Sequence, residues 1–201
     1  KLPQTFNFEN FAVSTSNQLA WAAAGAVAKN PGSTYNPLFI WGGVGVGKTH
    51  LSIATAREIL KDNPHKKILY CTSEEFTNEI VEAIKNKTSD LFRKRFRNVD
   101  VLLVDDIQFI AGRITVQEEF FNTFNAVIGM GSQIIVTSDR PPSEIQKLPP
   151  RLRDRFEAGL IVDIGKPDFE LICAILAIKS QERGMDLAPG EISKIASAFA
   201  S

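Results

Sequence analysis

The stretch Gly42-Gly43-Val44-Gly45-Val46-Gly47-Lys48-Thr49 has the spacing G-x-x-x-x-G-K-T of a phosphate-binding loop. It follows the apolar run Leu38-Phe39-Ile40-Trp41 and leads into His50-Leu51-Ser52-Ile53-Ala54, so the order is strand, glycine-rich loop, helix. Glycines let successive backbone N–H groups turn inward around an anion without Cβ clashes. A helix that begins at the lysine aims its positive end at the same anion. In such a loop Lys48 sets a point charge against the β- and γ-phosphates, and Thr49 offers its hydroxyl to Mg²⁺. The alternative, a glycine-rich turn joining a strand to a helix, leaves the Lys-Thr pair without a reason.

A second motif lies downstream. Val101-Leu102-Leu103-Val104-Asp105-Asp106 opens with four consecutive apolar residues, the pattern of a strand buried on both faces of a parallel sheet. Its two carboxylates fall at the C-terminal end, where ligands bind in open α/β sheets. On its own such a run is unspecific, since strands often end in turn residues. With a phosphate loop upstream, Asp105 is the expected Mg²⁺ carboxylate and Asp106 is placed to orient or polarise an attacking water.

The other segments supply a frame for these two motifs. Further strands are predicted at 67–71, 133–137 and 159–164, and helices at 18–29, from the loop to about 61, at 74–84, 89–97, 115–128 and 169–183, with a last one starting near Pro189. Strands alternating with helices imply an α/β fold around a parallel sheet. Residues 1–16 carry Phe6, Phe8, Phe11 and Val13 at alternating positions and are expected to form an extended arm, with Asn17 capping the first helix. Thr72-Ser73-Glu74-Glu75 has the form of a helix start with an acidic first turn. Arg93, Lys94, Arg95 and Arg97 read first as a solvated helix face and second as a nucleic-acid or partner contact. Asp139, at the tip of the 133–137 strand, reads equally as a γ-phosphate neighbour or as a turn residue before Pro141-Pro142. Arg151, Arg153 and Arg155 read as surface charge or as a source of charge for a neighbouring subunit's phosphate. His50 is expected to pack beside the loop helix.

Composition narrows the classes. The 201 residues suffice for one large domain, or a domain with a small appendage. The 23 basic and 23 acidic residues balance, which argues against a basic face for duplex DNA but leaves room for a local strip. No apolar run approaches the roughly 20 residues needed to span a bilayer, and no charged-then-apolar leader opens the chain. Cys71 and Cys173 read as buried free thiols in a reducing, cytoplasmic setting. A first residue other than Met, and a helical pattern running to the last residue, suggest a fragment of a longer protein.

These motifs together resemble the AAA+ ATPases, and within them the DnaA family of bacterial replication initiators. The likeness runs nearly end to end, through Phe6-Asn7-Phe8-Glu9-Asn10-Phe11, Tyr35-Asn36-Pro37, Gly42 to His50, Asp105-Asp106-Ile107-Gln108-Phe109, residues 117–125, Ser138-Asp139-Arg140-Pro141-Pro142, and Arg151-Leu152-Arg153-Asp154-Arg155-Phe156. The resemblance implies a parallel five-stranded sheet between helices over residues 1–166, with the arm near 11–13 beside an adenine. The start of a small helical lid would occupy 167–201. It implies ATP or ADP with Mg²⁺ as cofactors, held by Gly43, Gly45, Val46, Gly47, Lys48, Thr49, His50 and, at the sensor-1 position, Asp139. Thr49 and Asp105 would serve the metal; Lys48, Asp106 and Arg155 would be catalytic, Arg155 as the finger reaching the next protomer's ATP. Arg151 is a second candidate at that interface. The helices over 74–97 match the insertion that steers assembly into a filament, and Val81 and Arg113 are the matching single-stranded DNA contacts. Thr115 stands where many members carry a second basic residue. The function implied is slow, switch-like ATP hydrolysis with self-assembly on origin DNA, and with helicase and regulators as partners. The alternatives are a helicase loader or regulator of the same class, or a rapidly turning-over kinase or motor.

Overall fold

The computed structural model describes residues 2–199. Five parallel strands form its sheet: β1 (Leu38–Gly42), β2 (Ile68–Thr72), β3 (Val101–Asp105), β4 (Gln133–Ser138) and β5 (Leu160–Ile164), in the order β2-β3-β4-β1-β5. Helix α1 (Gln18–Lys29) precedes β1 and packs against α2 (Lys48–Asp62); parallel neighbours need crossovers, and α2, α3 (Ser73–Lys85), α4 (Ser89–Arg97), α5 (Ile114–Gly129) and α6 (Pro150–Glu157) supply them. Beyond β5, α7 (Phe169–Glu182) and α8 (Pro189–Phe199) pack against each other.

The two-residue period of a strand divides the core into two layers. Leu102 and Val104 of β3, with Ile134 and Val136 of β4, join Phe76, Phe92, Phe96, Phe120 and Phe156 beneath the α3–α6 side. Val101, Leu103 and Ile135, with Leu38 and Ile40 of β1, face Ala20, Ala24, Leu51 and Ile59 of α1 and α2. Both faces of β3 and β4 are covered, which is why residues 101–104 and 134–136 are unbroken apolar runs. Phe76 is edge-on to Phe92, Phe96 and Phe120 at centroid distances of 5.2, 5.1 and 5.3 Å, locking α3 to α4 and α5.

Two helix starts are capped by side chains. Thr72 and Glu75 form a reciprocal capping box on α3, and Asp168 caps α7 by accepting from Leu171 N at 2.7 Å. Asn17 makes no capping bond on α1; its side chain accepts from Ser14 N and donates to Ala12 O instead, bracing the arm. The arm itself is not an alternating extended segment. Asn7 and Asn10 exchange backbone-to-side-chain bonds of 3.1 and 2.8 Å that fold it into a turn, burying Phe11 while Val13 stays exposed. Cys71 is buried and free, whereas Cys173 is free but only half-buried.

Candidate nucleotide-binding site

The phosphate loop leaves β1 at the centre of the site. Gly45 and Gly47 have φ of 78° and 105°, a region only glycine enters without strain, and Gly47 is the residue from which α2 starts. The first amides of α2 therefore open toward the loop without intrahelical partners. Lys48 is only 8% exposed, and its Nζ donates to Gly43 O at 2.7 Å. An ammonium has three donors, and no carboxylate lies within ion-pair distance of this one among the described residues. A buried cation without a counter-ion, facing unpartnered amides, fits an anionic ligand.

Gly45, Val46, Gly47, Lys48, Thr49 and His50 line one cavity of about 340 Å³, whose other walls are Phe6, Phe11 and Ala12 of the arm and Leu171, Ile175, Ile178 and Lys179 of α7. It has a polar floor and an apolar roof, which suits a phosphate tail and a flat ring. His50 is packed, as expected: its ring stacks on Phe6 at 4.9 Å and meets Phe11 edge-on at 5.2 Å, and Nε2 bonds Asn7 O at 2.9 Å. Burial holds its pKa below the usual histidine value. Asn10 of the arm donates to Glu182 of α7 at 2.6 Å, tying the two walls together. A larger cavity of about 760 Å³ opens between the arm and α2; two of its cations already face carboxylates, Lys61 at 3.4 Å from Glu9 and Lys66 at 3.9 Å from Asp100, and Arg57 donates to Pro3 O at 3.3 Å.

Asp105 ends β3 beside this floor and is 5% exposed. Thr49 Oγ1 donates to its Oδ2 at 2.6 Å, Thr137 Oγ1 donates to Oδ1, and Tyr70 OH reaches Oδ2 at 3.4 Å. A hydroxyl and a carboxylate in contact form the oxygen donor set that suits Mg²⁺, which takes one or two carboxylates and completes its shell with phosphate and water. Among the described residues no cluster of three or more His, Cys, Asp or Glu side chains is placed to hold a metal. Asp106 and Asp139 stand outside the cavity lining. Asp139 is held by Arg140 through two bonds of 2.8 Å, and this pairing keeps its carboxyl below the usual range.

The remaining predicted residues lie elsewhere. Arg155, in the last turn of α6, does not line its own chain's cavity; its guanidinium sits exposed over the Phe121 ring at 5.6 Å, with that of Arg151 at 4.7 Å. Val81 is 55% exposed on α3, and Arg113 precedes α5. The α4 charge run is not simply a solvated face. Arg97 Nη2 donates to Glu119 Oε1 at 2.7 Å, Arg93 reaches the same carboxylate at 3.3 Å, and Arg95 pairs with Glu79 at 2.6 Å. Glu119 lies on α5 three residues after the buried Val116 and directly before Phe120, and its burial carried no sequence signal.

The bacterial DnaA ATPase domain family model matches residues 2–163. The chain belongs to this family. It is 52% identical over 196 residues to the chromosomal replication initiator protein DnaA of Thermus thermophilus, a match covering 98% of the chain and 45% of that protein. It thus spans about half the length of the curated DnaA relatives it matches. Among solved structures it is similar to domain III of the Thermotoga maritima replication initiation protein DnaA, with a TM-score of 0.94 and 38% identity over 98% of this chain and 82% of that one. A replication initiator DnaA bound to AMPPCP and single-stranded DNA superposes with a TM-score of 0.89 at 36% identity, covering 97% of this chain and 60% of that one. The AAA+ reading and the five-stranded α/β fold hold, and the DnaA family is favoured over a helicase loader. No helix among the described residues is long and apolar enough to cross a membrane.

Proposed function

We propose that this DnaA-family domain binds ATP or ADP with Mg²⁺ and uses slow hydrolysis as a switch for self-assembly on DNA. The observation that carries this is Lys48: a nearly buried ammonium without a carboxylate partner among the described residues, at the mouth of the loop and the start of α2. In this reading Lys48 and the amides of Gly43, Gly45, Val46, Gly47 and His50 hold the phosphates. Thr49 and Asp105 hold the Mg²⁺, which when bound neutralises charge developing on the phosphates. Phe6, Phe11 and the α7 side chains exclude water around the base. Asp106 orients the attacking water, and Asp139 lies at the sensor position.

Residues 1–166 would act as the nucleotide-binding unit and 167–201 as the beginning of a lid. Arg155, exposed and outside its own chain's cavity, would meet the γ-phosphate bound by a neighbouring copy, with Arg151 beside it. Val81 and Arg113 would touch single-stranded DNA; that a DnaA relative is bound to single-stranded DNA supports a DNA contact in this domain. The reading extends to a cytoplasmic protein whose other partners include helicase and regulators. Titration calorimetry with Mg²⁺ and ATP or ADP tests the first step: the folded parent binds and Lys48→Ala does not. A parent that takes up neither nucleotide refutes the proposal.

A further inference from the structure

Asp106 leaves β3 in the left-handed region, at φ 56° and ψ 50°. Its backbone is fixed from both sides: the N–H donates to Thr137 Oγ1 of β4 at 3.0 Å, and the carbonyl accepts from Ser73 Oγ of α3 at 2.6 Å. Its carboxylate has one hydrogen-bond partner among the described residues, Gln108, whose Nε2 donates to Oδ1 at 3.3 Å. The same amide group's Oε1 accepts the backbone N–H of Asp139 at 3.3 Å. A 3₁₀ turn over Ile107–Ile110, anchored by those two buried isoleucines, returns residue 108 over residue 106. One primary amide therefore spans the tips of β3 and β4.

We infer that Gln108 is a positioning residue for hydrolysis, orienting the Asp106 carboxylate and fixing that orientation to the backbone at Asp139. The inference rests on the nucleotide reading above. In the reaction the carboxylate accepts a hydrogen bond from water. The water oxygen bonds to the γ-phosphorus as the bridging P–O bond to ADP breaks, and the water hydrogens leave on inorganic phosphate as H₂PO₄⁻. Geometry selects the residue type. A side-chain amide offers a donor to one strand tip and, from a separate atom, an acceptor to the other. Glutamate keeps the acceptor but loses the donor and sets a like charge against Asp106. Gln108 lines no part of the loop cavity, so its effect falls on the chemical step and not on nucleotide affinity.

Two variants separate the two bonds. Gln108→Glu and Gln108→Met are compared with the parent by titration with fluorescent ATP and ADP analogues, by single-turnover ATP hydrolysis, and by amide hydrogen exchange at Asp139. Both variants keep the parent Kd within about twofold and lose about 10- to 100-fold in hydrolysis rate, the usual range for residues supporting a catalytic group. Exchange at Asp139 stays slow in Gln108→Glu, whose carboxylate still accepts that N–H, and quickens in Gln108→Met. Hydrolysis at the parent rate in Gln108→Glu overturns the inference, as does a rate that falls only in step with Kd. A parent that binds nucleotide without hydrolysing it overturns it too. A parent that binds none sinks the nucleotide reading first.

Discussion

Glu119→Gln is the perturbation whose cost is most directly read from the geometry. The substitution keeps side-chain volume and removes one charge. The Glu119 side chain is 9% exposed and that of Arg97 28%, and their bond is 2.7 Å. Arg97 Nε is buried without a partner, so the carboxylate is the group that compensates this guanidinium. A hydrogen bond between charged groups contributes about 1.5–3 kcal/mol, and breaking a fully buried pair costs about 3–5. With Arg97 still partly wet, the lower range applies, and the expected loss is about 2 kcal/mol. Arg93, facing solvent, adds a contribution that salt screens. With a urea m-value of about 3 kcal/mol/M, the unfolding midpoint should fall by roughly 0.7 M. A double-mutant cycle with Arg97→Met should recover most of this as coupling, while a cycle with Arg93→Met should yield a term that vanishes in high salt. A midpoint shift below about 0.2 M, or zero coupling to Arg97, would refute the claim that this carboxylate ties α4 to α5.

Three further outcomes are expected. Gly47→Ala places a side chain at φ 105° and drives its Cβ against the Phe11 ring, 3.2 Å away; positive-φ strain of about 1–3 kcal/mol predicts a Tm lower by about 2–12 °C together with weaker nucleotide binding. Arg155→Ala should leave nucleotide affinity unchanged and abolish ATP-dependent assembly of the full-length protein in sedimentation or light scattering; normal assembly would remove the finger role. With a thiol reagent at pH 8, Cys71 should stay unmodified in the native protein. Burial pushes its pKa up to about 12, leaving roughly one molecule in 10⁴ as thiolate, and the group should react only on unfolding. Cys173, half-buried on α7, should react in the native state, as mapped by mass spectrometry.

What the sequence displays depends on whether a feature is local. The loop, the β3 motif and the alternation of strands and helices depend on spacing within a few residues, and all appear where the pattern puts them. The capping box at Thr72 is legible for the same reason. The Asn17 error has a physical source: an Asn before a helix can satisfy the helix or the segment before it, and here the arm competes successfully for its side chain. The arm misled in a similar way. Alternating phenylalanines fit an extended arm, but the Asn7–Asn10 exchange bends the chain, and Phe6 stacks on His50 while Phe11 meets it edge-on.

The groups that hold the site together are a different matter, because they connect segments far apart in the chain. Thr137 and Tyr70 reach Asp105 from β4 and β2, and parallel pairing alone makes them neighbours: Tyr70 and Leu103 share a register position, as do Thr72 and Asp105. Val104 pairs with Val136, so Asp105 and Thr137 follow at the next level. Strand order is therefore the missing information. Once β3 lies between β2 and β4, with β1 on the far side of β4, the C-terminal strand ends become a polar rim around Asp105 and Asp106 beside the phosphate loop. Gln108 and Glu119 belong to the same class. Each is an ordinary polar residue in its own segment, and each finds its partners only because the fold brings a second segment within hydrogen-bond reach. A reading confined to spacing finds the motif residues; the groups that hydrogen-bond to them from other segments emerge from topology.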